Sequence, residues 1–340
     1  MKTMKTKLAV VILNWNGKDF LQRFLPSLIA NTPSYAEIIV ADNASKDDSV
    51  SMMRERFPYI RLIQNAKNGG FSKGYNEALS QIDAEYYCLL NSDVEVAPHW
   101  IEPIIDRMDE DAQIGAMQPK LLAYDAPDSF EYAGAAGGFI DKFGYPFCRG
   151  RLFGIVEKDE GQYDSEIEIF WASGAALFVR SEIYHQLGGL DEDFFAHMEE
   201  IDFCWRLKNN GYKILVSPKS VVYHVGGGTL PKKNSLKTYL NFRNNLFLLL
   251  KNLPKNRLVV TFVMRFILDN IAAVTFLLKG NGGDFLAVYK AMIDFSKQRK
   301  IMALKRGDDE KRAYSDTYQK SIVFTHYLMR KKHFDGKTLK

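Results

Sequence analysis

The apolar run Tyr86-Tyr87-Cys88-Leu89-Leu90 stops abruptly at Asn91-Ser92-Asp93, and it closes a series that leaves few architectures open. Before it, residues 8–13, 37–41 and 60–64 are short apolar runs of strand length. Each is followed by a stretch with helical character: 19–30, with Phe20, Phe24, Leu25 and Leu28 on one side; 49–57, stopped by Pro58; and 72–80. Strands separated by single helices build right-handed βαβ units and a parallel sheet, in the style of nucleotide-binding proteins. No Gly-x-Gly-x-x-Gly follows the first strand and no Walker lysine loop is present, so neither a dinucleotide site nor a P-loop is supported.

Open α/β sheets bind ligands just beyond the carboxyl ends of their strands, and polar motifs sit at each of these ends. Asn14-Trp15-Asn16-Gly17 offers amides and an indole that could bond and stack on a base. Asp42-Asn43-Ala44-Ser45 could accept from a ribose hydroxyl or a base N–H, or could simply turn the chain. Asn68-Gly69-Gly70-Phe71 lets backbone N–H groups approach a ligand, and Asn76 lies in the following helix. Asp93 is placed to hold a divalent cation, which a diphosphate requires.

The middle of the chain is less regular. Residues 100–108 read as a helix and 114–122 as a strand. Residues 130–161 are rich in glycine, aromatics and turn residues, which suits a loop or hairpin region that either shapes an acceptor pocket or covers the core. Residues 170–180 are a turn into a buried strand, and 181–187 a short helix ended by Gly188-Gly189. In the helix that follows, Glu199, Glu200 and Asp202 crowd the first turn, where the dipole favours anions. Three acids beside an aromatic run suggest that at least one faces a cleft as a base, while Asp202 and Arg206 can pair at i, i+4. Strands at 212–216 and 221–225 follow, with His224 just before Gly226-Gly227-Gly228.

The charge distribution separates two parts. Residues 1–230 hold 22 Lys+Arg against 33 Asp+Glu, a balance of −11, whereas residues 231–340 hold 23 against 8, a balance of +15. The expected division is therefore a sheet domain over 1–230 and a basic, amphipathic helical region over 231–340. Residues 258–278 are long enough to span a bilayer, but Thr261, Arg265 and Asp269 share one helical stripe. That pattern suits a helix lying in the interface or packed on the protein, and Lys297 through Lys300 add attraction for anionic headgroups. An acidic front domain argues against a nucleic-acid partner. Cys88, Cys148 and Cys204 form no disulfide framework or zinc spacing, and the first apolar run is too short for an export signal. A cytoplasmic location is expected, peripheral on the inner face of the cell membrane.

Taken in order, Val11-Ile12-Leu13-Asn14-Trp15-Asn16, Val40 to Ser45, Asn68 to Asn76, Leu90-Asn91-Ser92-Asp93, Phe195 to Asp202 and His224 resemble glycosyltransferase family 2, specifically its bacterial rhamnosyltransferase and galactofuranosyltransferase-like branch. The resemblance covers about residues 7–230. It implies a GT-A fold, Rossmann-like with a mostly parallel sheet, here carrying a C-terminal helical appendage. It also implies an inverting transfer of a rhamnose-like or other hexose from a dTDP- or UDP-sugar to a glycan or lipid-linked acceptor, in cell-surface polysaccharide synthesis. By position, Asn14, Asn16, Asp42, Asn43, Asn68, Gly70, Asn76 and Asn91 would contact the nucleotide. Asp93 and His224 would hold Mg²⁺ or Mn²⁺, and Glu200 would be the base, with Glu199 and Asp202 as substitutes. Asn91 stands where the family's metal motif has its first acid, and Glu200 where its base is an aspartate. Two other readings remain: a non-catalytic subunit that binds nucleotide sugar, and a nucleotidyltransferase, for which Gly17 and Lys18 alone make a poor phosphate loop.

Overall fold

The computed structural model describes residues 6–226, 234–307, 314–334 and 336. The boundary expected at 230/231, with Gly227 and Gly228, lies outside these residues. The first part alternates as read from the sequence: β1 (Thr6–Asn14), α1 (Lys18–Ala30), β2 (Ala36–Asp42), α2 (Ser49–Arg56), β3 (Arg61–Gln64), α3 (Gly70–Leu79) and β4 (Ala84–Asn91). Then come β5 (Val94–Val96), α4 (Glu102–Glu110), β6 (Ile114–Ala123) and β7 (Ala126–Phe130). Of the loop and hairpin alternatives for residues 130–161, the hairpins are what forms. These residues hold all four strands of a second, antiparallel sheet, β8 (Gly138–Ile140), β9 (Pro146–Cys148), β10 (Arg151–Leu152) and β11 (Ile155–Val156), strands too short to show a periodicity. After β12 (Ile167–Glu168) and β13 (Ala176–Arg180), α5 (Ser181–Gln186), α6 (Glu199–Asn209) and β14 (Lys213–His224) complete the sheet domain.

The main sheet has the order β12-β14-β6-β13-β4-β1-β2-β3. β3, β2, β1 and β4 are mutually parallel, β6 and β14 are parallel, and β13 runs antiparallel between β4 and β6. The two runs expected at 212–216 and 221–225 are one strand whose register shifts between Ser217 and Val221, where Pro218 has no N–H to give the ladder. Alternation along the strands divides the core between two faces. Leu8, Val10, Ile12, Tyr86, Cys88 and Leu90 meet α1 and α4 on one side, while Ala9, Val11, Tyr87 and Leu89 meet α3, α5 and α6 on the other.

Three long helices follow: α7 (Ser235–Asn252), α8 (Lys255–Leu278) and α9 (Gly282–Leu304), with a short α10 (Ile322–Tyr327) near the end. α7 inserts Phe247, Leu248 and Leu249 into the core on the α6 side. In α8 the polar stripe is the buried one: Thr261, Arg265, Asp269 and Ala273 face the protein. Arg265 Nε lies 3.1 Å from Asp269 Oδ1, Tyr145 donates to the same oxygen at 3.0 Å, and Arg265 also reaches Asn245 Oδ1. The opposite face presents Val259, Val260, Val263, Phe266, Ile271 and Leu278 outward. Replacing Asp269 by Ala leaves Arg265 buried without its counter-charge, so urea unfolding of Asp269→Ala is expected to show a loss of ~3–5 kcal/mol. The double substitution Arg265→Met/Asp269→Leu, which removes both charges, is expected to recover most of it.

Candidate active site

Register alone brings the strand ends to one level. Asn14 pairs opposite Asp42, Asp42 opposite Gln64, and Leu13 opposite Asn91. Around this rim the polar side chains form two hydrogen-bonded sets, joined through the backbone by Asn43 N to Asn14 O and Asn65 N to Asp42 O, both at 2.8 Å. Asn14 Nδ2 donates to Asp42 Oδ1 at 3.0 Å and Ser45 Oγ at 3.2 Å, and Ser45 N donates to Asp42 Oδ2 at 3.0 Å. Asn43 Nδ2 donates to Asn68 Oδ1 and Gly70 O, both at 3.0 Å, and Gly70 N returns to Asn68 Oδ1 at 2.9 Å. Asn65, which the sequence reading passed over, joins through Asn43 Oδ1. Asn16 adopts a left-handed backbone at φ 53° and accepts from Lys46 N, leaving the neighbouring Trp15 ring 40% exposed beside the rim. Asn14 Oδ1 is buried with no protein partner.

Asn76 belongs to neither set. Its Nδ2 donates to Leu190 O at 2.8 Å, and its Oδ1 accepts from Tyr184 Oη at 2.7 Å and Leu190 N at 3.0 Å. Both ends of the amide are consumed in bracing α3 against the segment after α5, which corrects its expected contact with a nucleotide.

At the end of β4 the chain folds straight back, and β5 pairs antiparallel with the last residues of β14, setting His224 opposite Val94. That return places Asp93 Oδ1 3.1 Å from His224 Nε2, with Asn91 Nδ2 3.4 Å from the same nitrogen. Asn91 therefore stands beside the Asp93–His224 pair. Glu131, buried and unforeseen, lies 3.4 Å from His224 Nδ1. No spacing in the sequence marked it, because it reaches His224 only through the pairing of β7 with β6 and of β6 with β14.

The three acids of α6 separate in the structure. Asp202 is fully enclosed: Lys251 Nζ and Arg206 Nε donate to Oδ2 at 2.8 and 2.9 Å, and Asn252 Nδ2 to Oδ1 at 2.8 Å. With Lys251 and Asn252 tying it to α7 and Arg206 pairing with it within α6, Asp202 is not a cleft-facing base, a correction of the expected substitute role. Glu199 is buried, Glu200 half-buried, and an oxygen of each is enclosed without a hydrogen-bond partner. Glu200 sits against the rim: a Cβ placed on Gly174 would lie 3.3 Å from Phe71 Cζ and 3.7 Å from Glu200 Cβ. The next residue, Ala175, accepts through its carbonyl from Asn91 N at 3.0 Å.

Residues 9–155 match the model of the family described as glycosyl transferase family 2. That match covers the first part of the sheet domain, through the β8–β11 sheet, and the likeness to the family is carried by these residues. The chain is similar, at 29% identity over 239 residues, to an N-acetylglucosaminyl-diphospho-decaprenol L-rhamnosyltransferase of Mycobacterium tuberculosis, with 65% of this chain and 76% of that protein covered. It is similar at 22% identity over 224 residues to the rhamnosyltransferase WbbL of Escherichia coli, covering 63% of this chain and 82% of the relative. Among solved structures, GalNAc-T7 with UDP, GalNAc and Mn²⁺ superposes with a TM-score of 0.59 at 17% identity, over 75% of this chain and 49% of that one. The S. aureus TarS fragment 1–349 superposes with a TM-score of 0.54 at 15% identity, over 96% and 92%. These two likenesses establish the fold, which is GT-A, with a mostly parallel central sheet and C-terminal helices.

The electrostatics of the site follow from burial and pairing. Burial disfavours charge on His224, but the hydrogen bonds and charges of Asp93 and Glu131 overcome it and push the imidazole up to about 10. Burial would raise Asp93, and His224 nevertheless holds it below its ordinary range. Glu200 has no such partner, and desolvation raises it to about 7. Desolvation also raises Glu199, with the charge of Glu200 adding to it. Gly70 is a tight point of the rim: its φ is +81°, and a Cβ there would lie 2.5 Å from the Phe195 carbonyl oxygen. Gly70→Ala is expected to lower stability by ~1–3 kcal/mol in thermal or urea unfolding, since both the backbone and the contact would be strained.

Proposed function

We propose that this protein is a family 2 glycosyltransferase that moves a rhamnose-like or other hexose from a dTDP- or UDP-sugar to a hydroxyl of a glycan or lipid-linked acceptor, with inversion, in cell-surface polysaccharide synthesis. The observation that carries the reading is the Glu200 carboxylate, which has one enclosed oxygen without a hydrogen-bond partner and lies, across Gly174, beside a strand rim that gathers Asn14, Asp42, Asn43, Asn68 and Gly70. The rhamnosyltransferase relatives support the choice of sugar.

In this reading the rim amides and Asp42 bind the nucleoside, and the Trp15 ring offers a stacking face. Glu200 takes the proton from the acceptor hydroxyl as its oxygen bonds to the anomeric carbon. The bond from that carbon to the diphosphate oxygen breaks, so a single displacement inverts the centre. Among the described residues no group of three or more His, Cys, Asp or Glu side chains is arranged as a metal centre. Two donors do converge, Asp93 Oδ1 and His224 Nε2, with Glu131 behind the imidazole as an orienting carboxylate. Such a donor pair fits Mg²⁺ or Mn²⁺ whose remaining ligands are phosphate and water. A bound cation would stabilise charge on the departing diphosphate as a Lewis acid. Holding it requires His224 neutral, which releases the proton shared with Asp93.

We also propose that the protein sits peripherally on an anionic, inner membrane face. Among the described residues α8 alone is long and apolar enough to cross a membrane. Its Arg265 and Asp269 are tied to Tyr145 and Asn245, which favours a helix lying flat with its apolar face in the lipid.

Hydrolysis and transfer assays across a panel of nucleotide sugars test the core of this reading, with turnover expected for one donor and lost with EDTA. No turnover of any donor, with or without Mn²⁺, would favour a binding subunit. Glu200→Gln is expected to lower kcat by ~10²-fold or more while titration calorimetry shows unchanged nucleotide affinity. Because the base must be ionised, kcat should fall on acidification through a limb near 7, the value to which Glu200 is raised. On the membrane side, Val263→Glu/Phe266→Glu should abolish co-sedimentation with anionic liposomes without lowering transfer to a soluble acceptor.

A further inference from the structure

Between the 3₁₀ turn Glu192–Phe194 and α6, the chain passes through an unusual stretch: Phe195, His197 and Met198 all adopt left-handed φ angles of 64°, 67° and 72°. None is glycine, so the conformation persists only because its surroundings over-determine it. Every carbonyl from 193 to 197 has a donor. Phe71 N binds Phe195 O at 2.7 Å. The other four are held from α7. Arg243 Nη2 reaches Asp193 O at 3.1 Å and Phe194 O at 3.3 Å. Asn244 Nδ2 points at Phe194 O, Ala196 O and His197 O at 2.9, 2.9 and 2.7 Å. Asn244 is completely buried, and Arg243 donates to its Oδ1 at 2.9 and 2.8 Å, which fixes the amide with its N–H groups toward the loop.

Two and three residues beyond the last of these carbonyls stand Glu199 and Glu200. We propose that Asn244 is the positioning residue of the transferase: it sets the strained loop, and through it the Glu200 carboxylate against Gly174 and Phe71. The inference rests on the reading of Glu200 as base. It assigns to a buried amide of the C-terminal helices a part in a reaction whose other groups lie at the strand ends.

Asn244→Asp keeps the size but sets a carboxylate against three carbonyls. It is expected to lower kcat for transfer by ~10–100-fold, with the donor KM unchanged, and to move the acid limb of kcat downward as Glu200 becomes hydrated. Asn245→Ala is the control: its amide faces Gly144 O and Arg265 instead of the loop, so it should lower the unfolding midpoint while leaving the pH profile in place. Should Asn244→Asp fail to fold, Arg243→Ala, which removes the bonds to Asp193 O and Phe194 O from a half-buried site, should shift the limb the same way with a smaller loss of kcat. Wild-type kcat and pH profile in the variant that folds, alongside an inactive Glu200→Gln, would overturn the inference and leave the base assignment intact. An active Glu200→Gln would overturn both.

Discussion

The parallel register of β1, β2, β3 and β4 is the constraint on which the site depends. Because Asn14, Asp42 and Gln64 stand opposite one another and Asn91 follows Leu90 in the next strand, four separate loops begin at the same height. The hydrogen-bonded sets of Asn14, Asp42, Asn43, Asn68 and Ser45 need no further organisation than this alignment. A slip of one residue in any strand would exchange the two core faces as well as break the rim, so the packing that stabilises the sheet also fixes the chemistry.

A second dependence runs across the molecule. Asp202, fully buried, is bonded to Lys251, Arg206 and Asn252, and Lys251 also reaches Asp191, which in turn binds Lys305 from the end of α9. Burial would raise Asp202, and the charges of Lys251 and Arg206 hold it low, so the group is an anion that neutralises its own helix contacts. The basic C-terminal region is therefore joined to the acidic front by specific ion pairs, and its positive balance is partly spent inward.

Legibility in the sequence followed length and periodicity. The βαβ series, the i, i+4 pair of Asp202 with Arg206, and the polar stripe of Thr261, Arg265 and Asp269 could all be read because each obeys a regular spacing. What escaped was decided by tertiary pairing. β5 is three residues long, yet its return is what sets Asp93 beside His224. Glu131 meets His224 from 93 positions away, after two strand pairings that no local pattern encodes. Asn76 looked available because helical spacing does not reveal that Leu190 and Tyr184 occupy both ends of its amide.

The way α7 is used has a practical consequence. Its Arg243 and Asn244 supply donors to the carbonyls of Asp193, Phe194, Ala196 and His197, while Phe247, Leu248 and Leu249 fill the core. A shortened chain ending before α7, made to escape the apolar face of α8, would orphan those carbonyls and open the core beneath α6. Solubility has to be engineered on the outer surface of α8 and α9, by exchanging side chains such as Val259, Leu278 or Leu304, because the boundary that looks natural in the charge distribution is not a place where the molecule can be cut.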